Sequence, residues 1–61
     1  MTHSQIIEIV KKEFVQNLRM FFAEHSEYYK FRASAIETIL LKIGVTADEI
    51  NEIVKETREA K

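Results

Sequence analysis

Apolar residues recur at the three- and four-residue spacing of a helix in three successive segments of the chain. In the first, Ile7, Val10, Phe14, Leu18 and Phe21 form one stripe, flanked by Phe22. Glu8, Lys12, Gln16 and Arg19 take the opposite side. In the second, Tyr28, Tyr29, Ala35, Ile36, Ile39, Leu40 and Ile43 share a face, and Lys30, Ser34, Glu37 and Lys42 fall away from it. In the third, the stripe is Ala47, Ile50, Ile53 and Thr57, with Val54 beside it. The pattern predicts helices over about 3–24, 27–43 and 47–60. The middle one reads as the best amphipathic helix, around which the others are organised.

Local chemistry places the boundaries. Thr2 and Gln5 have capping-box spacing, with Ser4 as an alternative cap. Gly44 follows the last periodic residue of the second helix and can end it in the left-handed conformation at little steric cost. Val45 suits the apolar contact that accompanies such an end. Thr46 and Glu49 repeat the capping-box spacing, and Asp48 and Glu49 put negative charge at the positive end of the third helix dipole. Arg58 and Lys61 suit its negative end.

The join from Glu24 to Glu27 has no glycine or proline. Ile7, Phe14, Phe21, Tyr28 and Ala35 recur every seven residues straight through it, which leaves open one unbroken helix that would need a partner chain. Four polar residues coincide there with Ser26, a candidate N-cap, and a break is the preferred reading.

The expected architecture is therefore all-α: one domain over 1–61, an antiparallel helical hairpin with a short third helix closing one end. A chain of 61 residues buries only about 60% of its unfolded surface. It has no cysteine for a disulfide or a Cys-based zinc site, and two isolated histidines do not make a metal site. Self-association is the remaining device for a domain this small, so a homodimer or higher oligomer is expected.

Composition narrows the functions. The net charge of −1 gives no strong attraction to nucleic acid or to anionic membrane, and neither is expected as a partner. There is no spanning apolar run and no signal-peptide pattern, so the expected location is the cytoplasm. No P-loop, HExxH, GxSxG or GxGxxG occurs. Neither enzymatic activity nor a cofactor is expected.

Residues 36–55 have the helix–Gly–helix outline of a helix-turn-helix. Ile39, Ile43, Val45, Ile50 and Ile53 occupy its apolar positions, and Gly44 its turn. Leu40 stands where such motifs carry a small residue, and the would-be recognition helix presents Asp48, Asn51, Glu52, Lys55 and Glu56. A DNA-binding regulator is accordingly the alternative function, because phosphate contacts need a basic face.

Some residues are not explained by a simple core. Ile6, Ile9 and Met20 form a second apolar strip on the first helix, opposite the flank bearing Val15 and Phe22. Phe31 and Leu41 lie off the second helix's stripe, on different sides. Arg32 falls by phase near the middle of that stripe, where a guanidinium needs a partner; it is expected to pack its stem and reach out to water or to a glutamate, with an interface ion pair as the functional alternative. His25 falls on the apolar side of the first helix's end and reads as a boundary histidine rather than a ligand or pH switch. Ile6, Ile9, Met20, Phe31 and Arg32 are the candidate partner-binding residues. The expected function is a protein–protein interaction module, an adaptor or inhibitor-type regulator of a larger protein, self-associating through the first helix.

Overall fold

A computed structural model describes residues 1–60 and is all-α. Its helices are α1 (His3–Glu24), α2 (Glu27–Lys42) and α3 (Ala47–Glu59). The position of Lys61, expected near the end of α3, lies outside the described residues.

α1 starts where its capping box predicts. Thr2 Oγ1 accepts from the Gln5 amide at 3.2 Å, and the Thr2 amide donates to Gln5 Oε1 at 2.8 Å. Two orphan donors of the first turn are thereby satisfied. The helix ends at His25, whose φ of 54° and ψ of 32° are left-handed and whose amide donates to the Phe21 carbonyl. The unbroken-helix reading is excluded by this residue. Histidine takes the left-handed region more readily than most side chains, and its ring meets Phe21 edge-on with centroids 6.4 Å apart. His25 is exposed and serves as the helix end rather than as part of an apolar boundary. Ser26 holds the N-cap position of α2, although its side chain makes no capping hydrogen bond.

α2 ends in a Schellman turn. The Val45 amide donates to the Leu40 carbonyl at 3.0 Å and the Gly44 amide to the Leu41 carbonyl at 3.3 Å. Gly44 has φ of 104°, a conformation that L side chains rarely adopt. The turn folds Val45 into the core and hands the chain to Thr46. Thr46 Oγ1 accepts from the Glu49 amide at 3.2 Å, so one half of the predicted box forms. The Glu49 carboxylate lies instead 3.8 Å from Lys11 Nζ on α1.

The organising element is α1, not α2. α2 and α3 pack on α1 far more than on each other. α3 does not close an end of the hairpin. Its start meets α1 at Lys11–Glu49, and its end meets α1 where Arg58 lies 5.7 Å from the centre of the Phe22 ring. α3 therefore runs alongside α1 in the same direction. The core is Phe14, Leu18, Ala33, Leu40, Val45 and Ile50, with Ile7, Val10, Phe22, Ile36, Ile43, Ile53 and Val54 packed round it. Leu40 is completely buried. The stripes of α1 and α3 are met closely, except that Ala47 is exposed.

The face α2 turns inward differs from the expected one. Ala33 is buried, while Tyr28, Ala35 and Ile39 are exposed. At about 100° per residue the inward face is rotated by roughly 70° toward Ala33. Two features account for this. α2 carries apolar residues round much of its circumference and is the least one-sided of the three helices, so pattern alone specifies its orientation weakly. Phe14, Leu18 and Phe21 of α1 also face Ala33 across a small cleft that they line together, and a small residue facing large ones lets the helices approach.

Candidate interaction surface

Two kinds of feature remain once the core is accounted for: a polar bridge between α1 and α2, and a set of large apolar residues left on the surface.

The bridge is built on Asn17, which is only 4% exposed. Its position on α1 lies at the edge of the apolar stripe, beside the groove between α1 and α2. Asn17 Nδ2 donates to the Glu13 carbonyl at 2.8 Å, and Asn17 Oδ1 accepts from Arg32 Nε at 2.9 Å. Arg32 Nη1 donates to the Tyr28 hydroxyl at 3.2 Å, and the guanidinium carbon lies 5.6 Å from the centre of the Tyr28 ring. Among the described residues no buried side-chain nitrogen or oxygen is left without a partner. Arg32 is thus not buried in the middle of a stripe. Because α2 is rotated, the residue lies on an exposed flank and spans the helix pair, with an asparagine as its partner rather than the glutamate a lone arginine suggests.

The exposed apolar residues fall on two helices. On α2, Phe31 is 67% exposed, Tyr28 60% and Ile39 48%. With Ala35 they occupy successive turns of one outward face. Leu41 is exposed on another side of the same helix. On α1, Ile9 is 46% and Ile6 40% exposed. Met20 is half-buried, set between the α1–α2 groove and a second groove between α1 and α3. The candidate residues therefore do not form one site. Ile6 and Ile9 lie together near the start of α1. Phe31 lies on the outward face of α2. Arg32 and Met20 border the groove that also holds Glu13, Asn17 and Tyr29.

Tyr28 and Ile39 belong to this surface although their phase assigned them to the core. Asn17 gives no signal by itself. The signal in the sequence was on the other helix, where Arg32 among apolar residues required a partner.

The α1–α3 groove carries Lys11, Lys12 and Arg19 over Val15, Met20 and Ile53. Its charge is partly answered by Glu49 beside Lys11. The solvent face of α3 presents Asp48, Glu52, Glu56 and Glu59 with Asn51 and Lys55. In the 36–55 segment Leu40 is completely buried, and the two helices it joins both rest on α1. Among the described residues no three His, Asp or Glu side chains come together as a metal site. No described helix is long and apolar enough to cross a membrane.

The chain matches no protein-family model, no curated protein and no solved structure.

Proposed function

We propose that the protein is a small protein–protein interaction module, an adaptor or inhibitor-type regulator that acts by binding a larger protein. The observation supporting this reading is the placement of Tyr28, Phe31 and Ile39, with Ile6 and Ile9, on the surface of a domain with only six buried apolar residues among those described. Apart from Tyr28, which holds Arg32, none of them belongs to the core or to the polar bridge. Aromatic and aliphatic anchors set among charged neighbours are the chemistry of a protein-binding face. Glu8 and Glu13 border the α1 residues, and Lys30 and Arg32 border Phe31. A DNA-binding regulator using 36–55 is the competing reading, and the acidic face of α3 disfavours it.

The test is affinity capture from the native extract with wild type, Phe31→Glu and Ile9→Glu. One protein retained in stoichiometric amount by wild type and lost from one variant is the expected result. A wild type that retains nothing the variants do not also retain overturns the reading.

A further inference from the structure

The outward face of α2 is self-complementary, and we propose that it docks a second copy of the chain antiparallel to itself. The inference rests on the interaction reading and gives one of its partners an identity.

The face consists of Tyr28, Phe31, Ala35, Ile39 and Lys42, with Glu27 at its edge, and all six are exposed. Their order has an approximate mirror about Ala35. Phe31 lies four residues before it and Ile39 four after; Tyr28 lies seven before and Lys42 seven after. In an isologous two-fold contact residue i meets residue j while j meets i. With the axis at Ala35, the small side chains of the two copies face each other where the helices cross. Phe31 of one copy then shares a layer with Ile39 of the other.

Charge selects the antiparallel direction. Glu27 is the acidic residue of the first turn of α2 and Lys42 the basic residue of its last turn. Antiparallel pairing brings each Glu27 to the partner's Lys42 at both ends of the seam. A parallel pair would set like charge on like charge and align the helix dipoles.

The seam is one helix long, about 24 Å at 1.5 Å per residue, which suits a dimer that dissociates on dilution. Ile6 and Ile9, on α1, stay outside it and remain open to a larger partner.

The experiment is light scattering behind a sizing column at about 100 μM, a concentration that populates a micromolar dimer, joined to cysteine cross-linking in a chain with no cysteine of its own. Wild type is expected at twice 7.2 kDa, Ile39→Glu and Phe31→Glu at half the wild-type mass, and Ile9→Glu at the wild-type mass. Under mild oxidation Ala35→Cys should cross-link to itself, since a disulfide needs Cα atoms within about 7 Å. Phe31→Cys should cross-link with Ile39→Cys but not with itself, and Leu41→Cys should remain single. The cross-links decide the matter even if a glutamate variant unfolds. A monomeric wild type overturns the proposal and leaves the capture experiment to judge the interaction reading. A dimer broken by Ile9→Glu but not by Ile39→Glu overturns the α2 seam while keeping self-association. Self-linking of Phe31→Cys overturns the antiparallel direction.

Discussion

Asn17 Oδ1 accepts a hydrogen bond from Arg32 Nε at 2.9 Å, and this bond ties α1 to α2 across fifteen residues of sequence. The same asparagine also donates to the Glu13 carbonyl, so both ends of a buried amide are used. A buried acceptor left alone costs about 1–3 kcal/mol, more than the net value of the bond. Arg32→Ala should therefore destabilise by about 1–2 kcal/mol, although the arginine is exposed. Asn17→Ala should cost a similar amount. The double variant should cost less than the two singles together, by about 1 kcal/mol. Urea denaturation of the four proteins measures the coupling, and additive losses would show that the bond contributes nothing.

Leu40 has no exposed surface and sits where α2 meets the core beside Val45 and Ile50. Leu40→Ala should cost about 2–5 kcal/mol. At about 0.1 kcal/mol per residue the whole domain has only about 6 kcal/mol to lose. The variant should keep only about 1–4 kcal/mol and melt more than about 10 °C below wild type by circular dichroism. A cooperative melt within a few degrees of wild type contradicts this account of the core.

Gly44 offers a clean separation of backbone from packing. A Cβ added there would meet nothing within 4 Å, yet φ is 104°. Gly44→Ala should cost about 1 kcal/mol and Gly44→Val the same or more, with Gly44→Asn between wild type and alanine. Thermal melts rank the four proteins. Equal stability of the alanine and wild-type forms would mean that the turn relaxes out of the left-handed region.

His25 holds the other left-handed position and has a side chain to strain. His25→Val should destabilise by about 1–2 kcal/mol, because a β-branched residue resists positive φ. His25→Gly should be at least as stable as wild type, since the open ring contact it gives up is exposed. Chemical denaturation of the two variants checks the order, and a valine form as stable as the glycine form refutes it.

Duplex DNA should not bind at physiological salt. The exposed side of α3 places Asp48, Glu52, Glu56 and Glu59 against Lys55 and Arg58, and phosphate contacts need net positive charge there. Fluorescence anisotropy with random duplex is the measurement. Micromolar binding that weakens steeply with added salt, and is lost with Asn51 and Lys55 substituted, would restore the DNA-binding reading.

The sequence by itself determined where α1 begins, where α2 ends and where α3 begins, and left the break between α1 and α2 open. Those features depend on contacts a few residues apart: Thr2 with Gln5, Thr46 with Glu49, and Gly44 free to take positive φ. It also determined the inward stripes of α1 and α3, whose main apolar residues keep one phase, although α1 carries Ile6 and Ile9 outside its stripe. Tertiary structure alone decided the rest. α2 is apolar on several sides, so its inward face was settled by what α1 offers: space for Ala33 beside Phe14 and a buried asparagine for Arg32. The heptad from Ile7 to Ala35 would have continued one face through both helices, and the left-handed turn at His25 broke that continuity. Tyr28 and Ile39 reached the surface because α2 turns Ala33 inward instead. Local pattern shows how one-sided a helix is; which side is buried depends on neighbours that the pattern does not contain.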